Sequence, residues 1–289
     1  MARNLPLANP PVRQPSAHGL HQKKPQGQVT RGKTAPNRLR QVDNFLLLYE
    51  PGLFACSDDA MFVDLGYGAE AITTLESAGR FRKLNPLLRV LGVEIDPARV
   101  AAALPYANAN TFFRLGGFNL PVQPGETVRA VRAFNVLRQY DESDVPPAWL
   151  QVSTYVQPGG LMIEGTSNPN GSIWSANLLR RIPNKLSCDE APWNKEALIF
   201  FTNFRAGFDP AEFQAILPKN YIHHMVPGET IFEFFSAWKA AAAETSPMSV
   251  WGPRQWFSAA ATALAHRGYD INLRRKWLSK GWLIWENPD

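Results

Sequence analysis

Short apolar runs alternate with stretches of helical period along much of the chain. The apolar runs predict strands at 61–65, 88–96, 112–115, 128–136 and 161–165. The periodic stretches predict helices at 37–50, 69–84, 97–100 and 146–157. Strands that alternate with helices at this spacing favour a parallel sheet with helices on both of its faces.

The pattern changes after Gly165. A loop at 166–172 is followed by a predicted helix from Trp174 to Arg181, and then by two predicted strands near 185–189 and 196–204. The last part of the chain has helical spacing again and holds six of the nine tryptophans. Aromatic residues at helical spacing belong to a core more often than to a surface that stacks nucleic-acid bases.

The N-terminus has no hydrophobic period. Residues 1–30 are rich in proline, glutamine and basic residues, which predicts a disordered basic tail. The remaining pattern predicts an N-terminal helical segment at 31–57, a core domain at 58–204 and an α-rich C-terminal addition at 205–289 that packs on the core.

The net charge of +5 is unevenly distributed. The remainder of the chain after residue 42 holds 22 basic and 25 acidic residues, so its net charge is −3. The tail could be simply solvated, attract RNA or another polyanion, or act as a transit peptide. Residues 1–42 contain no acidic side chain and eight basic ones: Arg3, Arg13, Lys23, Lys24, Arg31, Lys33, Arg38 and Arg40.

Composition excludes several classes of protein. No run of about 18 apolar residues is present, so we expect no membrane span. The two cysteines, Cys56 and Cys188, are far apart and do not combine with the five histidines into a metal-binding pattern. We therefore expect no metal and a reducing, cytoplasmic location.

The turn after the first strand carries the main chemical signal. Asp64 is followed by Gly66 and Gly68, and a helical period then begins. Glycines at such a turn allow the backbone to approach a ligand closely, and a helix start offers free N–H groups. The spacing fits a dinucleotide-binding turn, but an acid close to a pyrophosphate is unfavourable when no basic residue offsets it. Asp64 suits a ligand that carries an ammonium or sulfonium group.

Other segments fall at the same edge of the predicted sheet. Glu94, Gly117–Phe118 and Asn135–Tyr140 each follow or end a predicted strand. Ligands on parallel α/β sheets bind outside the carboxyl ends of the strands. The sequence therefore predicts a ligand site at this edge.

Three segments in order resemble the successive motifs of class I S-adenosylmethionine-dependent methyltransferases. They are Val63–Gly68, Gly92–Asp96 and Val156–Ile163, and the similarity covers about residues 58–167. The resemblance implies a Rossmann-like, mostly parallel doubly wound sheet with an antiparallel edge, to which the helical C-terminal addition is joined. It also implies S-adenosyl-L-methionine as the cofactor.

Carried over by position, the resemblance places the methionine part of the cofactor near Asp64 and the turn Gly66-Tyr67-Gly68. Glu94 would bind the ribose hydroxyls, and Ile95 would pack near the adenine. Gly117 and Phe118 stand where the family often has an acidic residue for the adenine amine. Adenine contact would then use backbone groups or stacking on Phe118.

The segment after the fourth strand matches the one that lines the methyl-transfer site in this family. The catalytic candidates there are Asn135, Arg138 and Tyr140, and Asn135 is also a candidate for contact with the cofactor. The Asn/Asp-Pro-Pro-Tyr/Phe motif of amine methylation is absent. Methyl transfer mainly requires alignment, with a base only if the acceptor loses a proton.

The leading hypothesis is a class I methyltransferase whose acceptor is unknown, with RNA or a ribonucleoprotein weakly preferred to a small molecule because of the tail charge. The alternatives are an NAD(P)-linked oxidoreductase and a non-catalytic module that binds S-adenosylmethionine or RNA.

Overall fold

The computed structural model describes residues 24–183 and 192–288. The described residues form eight strands: β1 (Met61–Leu65), β2 (Val90–Glu94), β3 (Thr111–Leu115), β4 (Val128–Phe134), β5 (Val156–Ser167), β6 (Ile173–Arg181), β7 (Trp193–Thr202) and β8 (Trp282–Glu286). They also form nine α-helices: α1 (Arg40–Tyr49), α2 (Pro51–Ala55), α3 (Ile72–Phe81), α4 (Pro97–Ala103), α5 (Val145–Ser153), α6 (Lys219–Ile222), α7 (Thr230–Glu244), α8 (Pro253–Ala265) and α9 (Arg275–Leu278).

The strands form one sheet in the order β3-β2-β1-β4-β5-β6-β7-β8. Strand β1 pairs in parallel with β2 and β4, and β2 pairs in parallel with β3. Strands β7 and β8 pair antiparallel. The predicted fold class, a Rossmann-like, mostly parallel α/β sheet with an antiparallel edge, is confirmed. The C-terminal region contributes strand β8 to this sheet in addition to its helices.

One predicted element is wrong. Residues 174–181 form strand β6 rather than a helix. Most of the β6 residues are buried, on both faces of the strand. Trp174, Ala176 and Leu178 alternate with the polar residues Ser175 and Asn177, and this period of two favours a strand, which the helix prediction overlooked.

The start of the fifth strand also differs from the prediction. Pro158-Gly159-Gly160 does not form a turn before the strand but lies within β5, which begins at Val156. Pro158 and Gly159 are exposed. A proline at the exposed beginning of a strand removes an N–H group that the strand can spare. The predicted strand at 185–189 lies outside the described residues, whereas its predicted partner corresponds to β7.

The end of the predicted tail is held in place. Residues 24–30, which the sequence predicts to be disordered, make backbone hydrogen bonds to the loop after β3 and to α4. Residues 1–23 of the predicted tail lie outside the described residues.

The chain contains two compact units. Among the described residues, the first unit comprises residues 24–133, 146–161, 181–183 and 192, and the second comprises residues 134–145, 162–180 and 193–288. The boundaries predicted at residues 58 and 205 remain a prediction.

The core of the second unit is aromatic. Trp238 is fully buried in α7 and stacks on Phe213 at 5.2 Å between ring centroids. Trp285 of β8 stacks on Phe234 at 4.1 Å, with an angle of 5° between the rings. The tryptophans at helical spacing are therefore mainly core residues, although Trp251 is 69% exposed.

Candidate functional site

Strands β1, β2 and β3 end at one edge of the sheet because they are parallel and in register. Leu65 pairs with Val93, and Glu94 pairs with Leu115. The residues that follow these three strands belong to the first unit and lie at this edge.

The turn after β1 has the predicted strand–turn–helix form. Gly66 and Gly68 have positive φ values of 72° and 91°. These angles lie in a region that residues with a Cβ atom rarely occupy. A Cβ atom on Gly68 would lie 2.7 Å from the carbonyl oxygen of Gly32, so the N-terminal chain passes directly over this turn.

Tyr67, between these glycines, points into the protein. Its ring is 3% exposed and packs edge-on against Phe113 at 5.5 Å. Burial, followed by the charges of Glu94 and Asp64, raises the pKa of the Tyr67 hydroxyl well above its ordinary value. The phenol is therefore neutral at physiological pH, and the Tyr67 side chain is mainly a support for the turn.

The Asp64 carboxylate is buried and hydrogen-bonded within the protein. Its Oδ1 atom faces the Arg132 guanidinium, at 3.1 Å from Nε and 2.8 Å from Nη2. Its Oδ2 atom accepts hydrogen bonds from the hydroxyls of Thr73 and Thr74, both at 2.8 Å. Asp64 therefore accepts three hydrogen bonds, faces Arg132 Nη2 as well, and is 2% exposed. Its contact with a ligand remains a prediction.

Arg132 joins Asp64 to a second buried acid. The guanidinium forms an ion pair with Asp43 of α1, and its Nη1 atom donates a hydrogen bond to the Ser77 hydroxyl oxygen at 2.7 Å. Burial lowers the pKa of Arg132, but the charges of Asp64 and Asp43 outweigh that effect and raise the pKa above its ordinary value. Asp64 therefore supports the turn through a buried ion pair.

Glu94 ends β2 beside the glycine turn. Its carboxylate accepts hydrogen bonds from the backbone N–H groups of Gly68 at 2.9 Å, Ile95 at 3.0 Å and Asp96 at 3.3 Å. The Arg99 guanidinium lies 3.5 Å away. These three bonds fix the orientation of the carboxylate and leave one acceptor site for a ligand hydroxyl.

The loop after β3 presents a donor and an acceptor side by side. The N–H group of Phe118 donates to the carbonyl oxygen of Gln26 at 2.9 Å. The N–H group of Gln26 donates to Oδ1 of Asn119 at 2.7 Å. The loop thus binds both the N–H group and the carbonyl oxygen of one residue, Gln26, with complementary groups. Gly117 is required here because a Cβ atom would collide with the Gln26 carbonyl oxygen.

Ile95 is half-buried after Glu94, and the Phe118 ring is 8% exposed. Both residues follow strand ends of the first unit, as predicted. Their contact with an adenine remains a prediction.

The catalytic candidates belong to the second unit. Asn135 has a positive φ of 60°, its Oδ1 accepts from the Ser167 N–H group at 3.1 Å, and its Nδ2 donates to the Ser167 hydroxyl at 3.2 Å. The Asn135 side chain therefore fixes the chain after β4 to the end of β5. Tyr140 is 7% exposed, whereas Arg138 is exposed on a short 3₁₀ turn. The catalytic roles of Asn135, Arg138 and Tyr140 remain predictions.

Sequence reasoning missed four contributors: Arg132, Arg99, Asn119 and the segment from Lys24 to Lys33. A signal existed only for Arg132, because a basic residue inside an apolar strand requires an acidic partner. Asn119 is one residue beyond the predicted pair Gly117–Phe118. The N-terminal segment gave no signal because the contacts described here are made by its backbone.

Two further searches concern the described residues alone. Within residues 24–183 and 192–288, no group of three or more histidine, cysteine, aspartate or glutamate side chains could hold a metal ion. In the same part of the chain, every helix is too short or too polar to cross a membrane.

No model of a known protein family matches the sequence, and no curated protein sequence matches it significantly. Solved structures of methyltransferases are similar to part of the chain. The plantazolicin methyltransferase BpumL in complex with SAH has a TM-score of 0.34 and 12% identity. That match covers 45% of this chain and 47% of BpumL, so this chain spans about half of the length of that protein.

Two other solved methyltransferases show the same degree of similarity. The N-methyltransferase NodS from Bradyrhizobium japonicum WM9 has a TM-score of 0.32 and 18% identity over 45% of this chain and 69% of NodS. SAM-bound CalS10, an amino pentose methyltransferase from Micromonospora echinaspora, has a TM-score of 0.33 and 18% identity over 59% of this chain and 69% of CalS10.

Proposed function

We propose that this chain is an S-adenosylmethionine-dependent methyltransferase whose first unit binds the cofactor. The observation that carries the proposal is the hydrogen-bond donor and the hydrogen-bond acceptor that the loop after β3 holds side by side. Phe118 supplies an N–H donor and Asn119 an oxygen acceptor to the backbone of one residue, Gln26. Adenine presents an acceptor, N1, beside a donor, its amino group, so the same pair suits its Watson–Crick edge.

The neighbouring residues suit the rest of the cofactor. Glu94 is fixed by three N–H groups and keeps one acceptor site for a ribose hydroxyl. The positive-φ glycines Gly66 and Gly68 keep the turn after β1 free of side chains. Ile95 and Phe118 would pack on the adenine. We assign Asp64 a supporting part through Arg132 rather than a ligand contact.

S-adenosylmethionine would supply the methyl group of its sulfonium. The acceptor would form a bond to the methyl carbon in line with the sulfur–methyl bond, which breaks and releases S-adenosylhomocysteine. The protein's contribution is to align the acceptor with the sulfur–methyl bond. Asn135, Arg138 and Tyr140 are the residues proposed for that part, and Asn135 also remains a proposed cofactor contact. The weak preference for an RNA acceptor rests only on the basic residues near the N-terminus. A methyl-label assay on fractionated extract would identify the acceptor class.

Calorimetric titration of the full chain tests the cofactor. We expect S-adenosylmethionine and S-adenosylhomocysteine to bind and NAD not to bind. Glu94→Gln should weaken the binding of both by about tenfold or more, because a hydrogen bond to a charged group contributes about 1.5–3 kcal/mol.

The matched control is Glu212→Gln, which removes an exposed carboxylate from the second unit and should leave the affinity unchanged. Binding of NAD alone would overturn the proposal. Equal affinity of the Glu94→Gln variant and the parent would remove Glu94 from the site.

A further inference from the structure

The chain from Lys24 to Lys33, here called the N-terminal strap, runs along the edge of the first unit where the cofactor is proposed to bind. Five of its described hydrogen bonds join it to that edge, each through its own backbone. Asn119 donates to the Lys24 carbonyl at 3.1 Å and accepts from the Gln26 N–H group at 2.7 Å, and Phe118 donates to the Gln26 carbonyl at 2.9 Å. Arg99 donates to the Thr30 carbonyl at 2.8 Å, and Ala69 donates to the Gly32 carbonyl at 2.9 Å.

These partners are groups that the proposed cofactor would need. Gln26 satisfies both the donor of Phe118 and the acceptor of Asn119, the pair that suits the adenine edge. The Gly32 carbonyl takes the N–H group of Ala69, next to the turn at Gly68. A hydrogen-bonding group that is occupied by the strap is not available to a ligand.

Arg99 links the strap to Glu94. The Glu94 carboxylate is 1% exposed, and the Arg99 guanidinium lies between it and the strap carbonyl at Thr30. The strap carbonyl at Thr30 therefore helps to hold Arg99 beside the Glu94 carboxylate.

We infer that the strap is a built-in competitor of the cofactor: the backbone N–H and carbonyl groups of Gln26 occupy the place of the adenine edge, and the strap must leave before S-adenosylmethionine binds. This inference rests on the proposed cofactor site and adds a way in which cofactor binding at that site is regulated. It differs from a lid, which would cover a bound cofactor and would be stabilised by it.

Affinity in truncated chains tests the competition. Deletion of residues 1–33 removes the strap, whereas deletion of residues 1–23 keeps it and serves as the control. If the strap is seated about 90% of the time, its removal should tighten S-adenosylmethionine binding by about tenfold. A synthetic peptide of residues 24–33 should weaken that binding again in the truncated chain.

A pair of full-length variants covers the case in which the truncated chain does not fold. Gln26→Pro removes the N–H donor, and Gly32→Val places a β-branched residue at a φ of 69°, so together they should release the strap and tighten binding. Gln26→Ala is the matched control, because it retains the backbone groups that make the contacts and should bind like the parent.

Proteolysis gives a readout that separates a competitor from a lid. Trypsin can cleave after Arg31 and Lys33, both exposed within the strap. Saturating S-adenosylmethionine should accelerate cleavage at these two bonds in the full chain, because the displaced strap is accessible.

Slower cleavage with cofactor, or equal or weaker affinity after strap removal, overturns the competitor while leaving the proposed cofactor in place. Failure of every variant, with and without the strap, to bind S-adenosylmethionine or S-adenosylhomocysteine overturns the proposed function together with this inference.

Discussion

Replacement of Arg132 by methionine is expected to reduce the free energy of unfolding by about 3–5 kcal/mol. The guanidinium is fully buried and forms ion pairs with both Asp43 and Asp64. Its loss leaves Asp64 with two threonine hydroxyls and no cation among its described contacts. A buried charge without a partner is strongly unfavourable. Thermal unfolding should shift downward by on the order of 10 °C.

A second set of variants distinguishes the lost charge partner from the lost volume. Arg132→Met combined with Asp43→Asn and Asp64→Asn should recover part of the loss, because no unpaired carboxylate then remains. Arg205→Met, at an exposed position, is the control and should change the stability by less than about 0.5 kcal/mol. A loss for Arg132→Met as small as that of the control would show that the buried pair contributes little.

Replacement of Glu164 by glutamine is expected to stabilise the protein at pH 8 and to leave it unchanged near pH 4.5. Glu164 is buried in β5, and its carboxylate is bonded to Nδ2 of Asn177 at 3.0 Å. Burial raises the pKa of Glu164 from 4.5 to about 7. The protonated form therefore contributes stability that is fully present below pH 4.5 and is lost as the pH rises through 7.

The rise of the Glu164 pKa from 4.5 to about 7 corresponds to about 3 kcal/mol in the free energy of unfolding. The parent loses this stability at pH 8, whereas the variant, whose amide is neutral, should retain it. Denaturant unfolding of parent and variant at several values between pH 4.5 and 8 measures it. Glu212→Gln is again the exposed control and should follow the parent. A stability difference between Glu164→Gln and the parent that does not change with pH would contradict the assignment of the proton to Glu164.

The parts of the site that could be predicted have local signatures. Gly66 and Gly68 stand out because their positive φ angles favour glycine, and they directly follow an apolar run. Glu94 stands out because it ends the next apolar run. Both positions are determined by residues within a few places of them in the sequence, and the parallel order of the strands then brings them to one edge.

The parts that could not be predicted depend on distant residues or on the backbone. Asp43 and Arg132 are separated by 89 residues, so no local pattern connects them. The bond between Asp64 and Arg132 spans 68 residues, so no local pattern shows it either. The strap binds through its main chain, and its proline-rich and glutamine-rich sequence therefore resembles a disordered tail. Strand β6 is a different case, because residues 174–178 alternate apolar and polar side chains and the sequence therefore held a local strand signal.

The Arg132 ion pairs also determine which parts of the first unit open together. Helix α1 has ten residues, too few to be stable alone in water. Its Asp43 shares one guanidinium with Asp64 of β1, so local fraying of α1 would strip a buried charge of its partner. The amide protons of α1 should therefore exchange with solvent at the same free energy as those of the central strands, as members of one cooperative opening unit.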